Sequence, residues 1–249
     1  MNLSWLLPVT KGIPVLMYHK VWPGISDNFT ITPENLQGHF AYLAAEGYNA
    51  ISLQQYLNII NGRSAHPEKT MLLTFDDGYM TNLQYVYPLL LRYNWAATFF
   101  IIGESLEHET ARGEPDTDQK MSFAELRQLD PTVAQLALHG YHHEHFDRLS
   151  LTEIQSVMQR SIAIFQDKRI PFVPALAYPY GARPKDKATC RAMKEWLKIN
   201  GIEAAFRIGN RVSSVPAPDT YEIRRIDILG TDSVADLAIK LRKGKLKPF

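Results

Sequence analysis

About seven times along this 249-residue chain a short apolar run gives way to a longer stretch of helical period. The strand candidates are Ile13 to Tyr18, Met71 to Phe75, Ala97 to Ile102, Leu136 to His139, Ala175 to Tyr178, Glu203 to Phe206 and Tyr221 to Ile226. Alternation of this kind builds a parallel sheet with crossover helices. A closed barrel gathers its site at the C-terminal strand ends, and so does an open doubly wound sheet. No G-x-G-x-x-G or phosphate-loop motif occurs, which weighs against a nucleotide-binding version.

The intervening helices carry their own punctuation. Thr32 reads as an N-cap before Pro33, with Leu36, Phe40 and Leu43 as an apolar stripe. A second helix runs through Leu83, Val86, Leu90 and Leu91. Ser122 with Glu125, and Ser150 with Glu153, have capping-box spacing; they start helices reaching Leu129 and about Gln166. Further helices are expected from Pro184 to about Ile199 and from Asp232 to Leu241.

Chemistry concentrates just after the strands. The run Met71-Leu72-Leu73-Thr74-Phe75 leads straight into Asp76-Asp77-Gly78. Two adjacent carboxylates at the end of a buried strand repel each other, and burial raises the cost. A metal ion resolves the conflict, with one carboxylate ligating and the other left to take a proton. Partners follow in His139-Gly140-Tyr141-His142-His143-Glu144-His145. His139 and His143 are spaced to share one face of a helical turn. Two imidazoles and a carboxylate, with positions open for water and substrate, make a catalytic metal site. His19, Tyr180 and Arg225 also sit at strand ends, where they would face the same mouth.

The remaining composition narrows the class. Hydrophobic residues make up 45% of the chain and charged ones 21%, enough for one sizeable core in a single domain spanning residues 1–249. A net charge of +1 gives no reason to expect nucleic acid as a partner. Cys190 is the one cysteine, so no internal disulfide forms, and a reducing compartment is favoured. Trp5-Leu6-Leu7 is too short for a signal or a membrane span, so no transmembrane segment and a cytoplasmic location are expected. Lys240, Arg242, Lys243, Lys245 and Lys247 read as a solvated helix end and tail. Gly103 to Lys120, with Glu104, Glu107, Glu109, Glu114, Asp116 and Asp118, reads as a surface loop bordering the substrate groove. Tyr18, Trp22, Tyr79 and Phe146 are candidates for stacking on a sugar. His142 and His145 default to the surface.

In sum these residues resemble the polysaccharide deacetylase family, also called the NodB-homology domain or carbohydrate esterase family 4. Its T-F-D-D-G motif stands unaltered as Thr74 to Gly78, its H-[ST]-x-x-H motif as His139 to His143 with Gly140 in place of the hydroxyl residue, and its P-Y-G as Pro179-Tyr180-Gly181. The opening Pro14 to His19 resembles the N-terminal strand of one branch. The resemblance runs from about residue 13 to 240. It implies a distorted (β/α)7 barrel and metal-dependent removal of an N-acetyl or O-acetyl group from a sugar or glycan. Asp77, His139 and His143 would be the metal ligands, Asp76 the general base, and the Tyr180 backbone N–H an oxyanion donor. Zinc suits these ligands; cobalt or manganese also fits.

Three departures stand out. Ala177 occupies the place of the third motif's arginine; Arg224 or Arg225 could substitute, and alternation along the strand favours Arg225 as the inward one. The fourth motif's tryptophan is missing, with Asp227 the nearest acid. No histidine follows His145 to act as the family's general acid, a place His19 could fill from the first strand. Hydrolysis of another amide, such as a formyl group or a small cyclic amide, and glycan binding without turnover are the alternatives.

Overall fold

A computed structural model describes residues 12–107 and 118–243 of the chain. In order the elements are β1 (Val15–Tyr18), β2 (Lys20–Val21), β3 (Thr30–Ile31), α1 (Pro33–Ala45), β4 (Asn49–Ala50), α2 (Leu53–Ile60) and β5 (Thr70–Phe75). A π-helical turn, Asn82–Val86, then leads into α3 (Tyr87–Tyr93). After it come β6 (Ala97–Ile101), α4 (Phe123–Leu126), β7 (Ala134–Leu138), α5 (Leu151–Asp167), β8 (Ala175–Ala177), α6 (Lys187–Ile199), β9 (Ala204–Ile208), β10 (Ile223–Asp227) and α7 (Val234–Lys243).

Seven strands close on themselves in the order β1-β5-β6-β7-β8-β9-β10 and back to β1, every pair parallel. This is the distorted (β/α)7 barrel that the resemblance implies. The distortion has two sources. The first residues of β5 pair with β4 rather than β1 (Asn49↔Thr70), so β1 joins only from Leu72 onward. The β7–β8 ladder holds a single register pair, Leu138↔Leu176.

Alternation sorts the strand side chains into two packings. One set includes Val15, Leu72, Phe100, Ala137, Ala175, Phe206 and Ile223, one from each barrel strand, and fills the lumen. Alanines on β7, β8 and β9 leave room there for the rings of Phe100 and Phe206, whose centroids lie 5.5 Å apart. The other set, with Leu16, Leu73, Phe99, Leu136, Leu176 and Ile226, packs outward against helix residues such as Leu36, Phe40, Met158 and Leu197. Full burial of one such side chain contributes about 1.5–3 kcal/mol.

The caps follow the sequence signals. Thr32 accepts from the Asn35 N–H, and Ser150 and Glu153 cap each other. The helix expected from Pro184 begins instead at Lys187, because Asp186 caps it by accepting from the Thr189 N–H. Helix α2 was not anticipated, although Ser52 and Gln55 form a full capping box before it. Lys240 is not part of a solvated tail: it is buried, bonds the Asp227 carbonyl at 2.9 Å and pairs with Asp232. The side chain of Lys243, with Lys245, Lys247, Met1 to Thr10, Glu109, Glu114 and Asp116, lies outside the described residues.

No helix links β9 to β10. Residues 209–222 run as an irregular segment that bridges Ile13 at Ser213 and packs Val215 and Ala217 against the lumen cluster.

Candidate active site

Strand β5 delivers the carboxylates. The Asp76 N–H continues the ladder by donating to the Tyr18 carbonyl at 3.0 Å, so its side chain keeps the inward direction of Leu72 and Thr74. The chain then turns through two left-handed residues, Asp77 (φ 71°) and Gly78 (φ 71°), which ends the strand and swings the Asp77 carboxylate to the same mouth. A side chain at Gly78 would put its Cβ 2.9 Å from Ile101 Cδ1.

Both carboxylates are almost fully buried. Asp76 is held from across the lumen by Arg225 of β10, whose two terminal nitrogens donate to its two oxygens at 2.6 and 2.7 Å. Burial alone would raise the Asp76 pKa; the charges of Arg225 and His139 outweigh it and keep the group below the usual carboxylate range. Arg225 also reaches Thr74 Oγ1 at 3.4 Å and lies 5.3 Å from the Phe100 ring centre. Its placement follows the alternation: Arg224 is exposed and Arg225 is 1% exposed.

The histidines come from the loop after β7. They do not share a helical turn, as their spacing had implied. Gly140 (φ 74°) and His143 (φ 61°) are left-handed, and the loop between them is pinned by Glu144, which accepts from the Tyr141 N–H at 3.1 Å. The loop still brings the two rings to 4.9 Å. His139 Nδ1 lies 2.8 Å from the Ala177 carbonyl. A carbonyl only accepts, so Nδ1 carries the hydrogen and the neutral ring presents the Nε2 lone pair to the mouth. The same bond joins β7 to β8 just past their short ladder.

Three donor atoms therefore converge. His139 Nε2 lies 3.3 Å and His143 Nε2 3.4 Å from Asp77 Oδ1, and the three ligand atoms fall within 4.8 Å of one another. Asp77 Oδ1 is buried with no hydrogen-bond partner among the described residues. Lone pairs facing each other in a buried space call for a cation between them, and one oxygen with two imidazole nitrogens is a donor set that fits a divalent metal. The surroundings act in opposite directions on the two imidazoles. Burial and the neighbouring His139 push His143 down to about 4, leaving it neutral. Burial opposes a charge on His139 too, but Asp76 and Asp77 outweigh it and raise its pKa. Asp77 is held far below the usual range despite burial, first by His139 and then by Lys120.

The site opens into a cavity of about 680 Å³ at the C-terminal mouth of the barrel, which His19 and Asp227 also line. His19 Nδ1 is buried with no hydrogen-bond partner among the described residues, and the ring meets Phe29 edge-on at 5.5 Å. Tyr180 sits on the rim in a left-handed conformation (φ 58°), half exposed, its ring 4.3 Å from His143. The next residue must be glycine, since a Cβ on Gly181 would meet Ile208 N at 2.8 Å.

Several expectations need correction. His145 is partly exposed, but it is not idle at the surface: its ring stacks on Tyr180 at 3.7 Å and 3°. Tyr18 and Phe146 are core residues against Phe75 and Tyr178, and Trp22 does not line the cavity, so of the four aromatic candidates only Tyr79 does. Phe29, 63% exposed, was missed, for want of any local signal before β3 pairs with β2. Lys120 was seen only as the end of a loop. It pairs with Tyr79 in an isolated antiparallel bridge, and its Nζ lies 3.1 Å from that ring's centre and 4.0 Å from Asp77 Oδ2. Desolvation in this wall pushes Lys120 down to about 8.

A closed parallel barrel with a candidate metal centre at its C-terminal mouth is the class of protein that the fold and site define. Residues 63–197, more than half of the chain, match the polysaccharide deacetylase family model, and the chain belongs to that family. It is 25% identical to YxkH of Bacillus subtilis (strain 168) over 169 residues, 68% of this chain and 57% of that protein. It is also 25% identical to the poly-beta-1,6-N-acetyl-D-glucosamine N-deacetylase of Staphylococcus epidermidis over 205 residues, 80% of this chain and 68% of the other. The chain thus spans little more than half the length of YxkH. In fold it is similar to the Streptococcus pyogenes deacetylase PplD, solved in complex with acetate, with a TM-score of 0.79 at 19% identity over 94% of this chain and 99% of the other. No described helix is long and apolar enough to cross a membrane.

Proposed function

We propose that this chain, as one catalytic domain, is a metal-dependent deacetylase that hydrolyses the N-acetyl group of an amino sugar in a glycan. The observation that carries this reading is the meeting of Asp77 Oδ1, His139 Nε2 and His143 Nε2 beside an Asp76 clamped by Arg225. Asp77, His139 and His143 would hold the ion, zinc being the best match to this donor set. When bound, a divalent ion supplies Lewis acidity toward the acyl oxygen and makes a nearby water more acidic.

The chain's own residues do the rest. Arg225 keeps Asp76 ionised and fixes its plane, so that Asp76 can take a proton from the attacking water. The Tyr180 backbone N–H donates to the oxygen that gains charge as the carbonyl carbon becomes tetrahedral. His19, on the far wall of the cavity, gives a proton to the departing amine. Tyr180, half exposed on the rim, offers an aromatic face to the sugar ring. The Staphylococcus epidermidis relative supports poly-N-acetylglucosamine as the first substrate to try.

The test is metal content of the purified protein together with acetate release from N-acetylated and O-acetylated glycans, with and without chelator. Stoichiometric metal that Asp77→Ala and His143→Ala both lose, with chelator-sensitive acetate release, is the expected result. A protein that takes up no zinc when it is supplied refutes the reading.

A further inference from the structure

The missing helix between β9 and β10 leaves a second concavity, on the side of the barrel. It has a volume of about 770 Å³ and runs between α6 and the irregular segment 209–222. Its lining is mostly basic, with Glu195 and Asp219 the two acids among it. Lys187, Arg191, Lys194 and Lys198 all line it, at successive spacings of four, three and four residues that put them on one face of α6. Nine of the 27 Lys and Arg residues of the chain lie between Arg183 and Arg224, against five of its 26 Asp and Glu residues. A chain of almost no net charge thus concentrates its positive charge here.

Helix physics accounts for Lys198 alone, a cation in the last turn of α6. Like charges at these spacings oppose helix formation. Lys187 and Arg191 lie in the N-terminal half of α6, where the helix dipole disfavours cations. Nor is the charge neutralised by the fold. Lys187, Arg191 and Lys198 are exposed and form no ion pair among the described residues. Two inner cations are held in place instead. Lys194 bonds Asp219 at 2.9 Å and Glu222 at 2.8 Å, and Arg183 bonds Glu222 at 2.5 Å. Between the charges the floor is formed by Pro184, Cys190 and Tyr221, an uncharged surface broad enough for a sugar ring. The groove also adjoins the site mouth: the chain lines the mouth at Tyr180 and Gly181, and the groove from Arg183 onward.

We propose that this groove is a binding site for an anionic glycan strand, one that carries phosphodiester or carboxylate groups along its length. Fixed inner cations and mobile outer ones on a concave, uncharged floor suit a linear polyanion with ring-shaped units, whereas a flat membrane surface cannot follow the concavity. The site goes beyond the deacetylase reading and does not depend on it, since no residue of the stripe takes part in the metal centre or the proton transfers.

The test is direct binding by the full chain of two labelled probes, alginate oligomers for carboxylate and phosphomannan oligomers for phosphodiester, with neutral dextran as control. Binding of at least one anionic probe that weakens steeply with added salt is expected. Combined Lys187→Glu, Arg191→Glu and Lys198→Glu should weaken it at least tenfold, with unchanged circular dichroism and unchanged acetate release from a short neutral substrate. Reversal of three exposed cations outside the groove, Arg63→Glu, Lys69→Glu and Arg92→Glu, should leave it within twofold. Equal loss in both triple variants, no binding of either anionic probe, or binding to phosphatidylglycerol vesicles in preference to both probes would overturn the proposal. Which anionic probe binds identifies the chemical class of the strand.

Discussion

Arg225 and Asp76, from β10 and the end of β5, meet across the barrel lumen through two parallel hydrogen bonds, with neither side chain more than 3% exposed. Removing one partner of such a pair leaves an uncompensated buried charge. Arg225→Ala is therefore expected to lower stability by about 3–5 kcal/mol, read from urea unfolding at neutral pH. Arg225→Lys keeps the charge but loses the fork geometry. It should recover much of that stability while acetate release stays depressed. Equal stability of Arg225→Ala and the wild type would mean that Asp76 does not need the clamp.

Metal binding has a signature independent of turnover. A ligand that binds only the folded chain stabilises it by about 2.7 kcal/mol at a hundredfold excess over its Kd. Zinc is thus expected to raise the thermal midpoint of the chelator-treated wild type, and to leave those of Asp77→Ala and His143→Ala unmoved. A rise in all three would place the ion elsewhere.

His39 ties acid sensitivity to a different part of the fold. It is a buried residue of α1, with Nδ1 3.2 Å from the Tyr18 hydroxyl and Nε2 3.0 Å from the Asp232 carbonyl. Burial lowers its pKa, although the Asp232 carbonyl and carboxylate favour the charged ring. The unfolded chain then takes up a proton near pH 6.5 that the folded chain refuses. The contribution of His39 is fully present above about pH 6.5 and is lost as the pH falls below it. Urea midpoints at pH 8 and pH 5.5 should show a larger acid loss for the wild type than for His39→Gln. An identical loss in both would clear His39 of the effect.

Gly181 combines a positive φ of 63° with a backbone neighbour that an added Cβ would meet at 2.8 Å. The conformational cost alone is about 1–2 kcal/mol for an L-residue. Gly181→Ala should lower the melting temperature and, by displacing Tyr180 beside it, cut acetate release more than its stability loss explains. Gly62→Ala is the control: φ is 71° there, with open space around the Cβ, so it should carry the conformational cost without the loss of turnover.

Much of this was legible along the chain. Strand alternation placed Arg225 inside and Arg224 outside, and the Ser150 and Glu153 spacing marked the start of α5. The Ser52 and Gln55 box before α2 was equally readable. The dense run Leu53-Gln54-Gln55-Tyr56-Leu57-Asn58-Ile59-Ile60 is only eight residues long, though, and its periodicity is easily passed over. The pair His139 and His143 was found for the wrong geometric reason: a spacing of four also fits a loop whose left-handed residues fold it back. The stack of His145 on Tyr180 joins segments far apart in sequence, and Phe29 meets His19 only once the loop between β2 and β3 folds back; no local pattern encodes either.

Three side chains at the mouth, Asp77, His143 and Tyr180, stand on backbone with φ of 71°, 61° and 58°. A glycine would occupy each position without the steric cost, which amounts to about 1–2 kcal/mol per residue. Heat tolerance and turnover therefore pull in opposite directions at these positions. A lineage selected only to stay folded would drift toward glycine there and fall silent, so these residues mark whether a descendant barrel is still under selection for its chemistry.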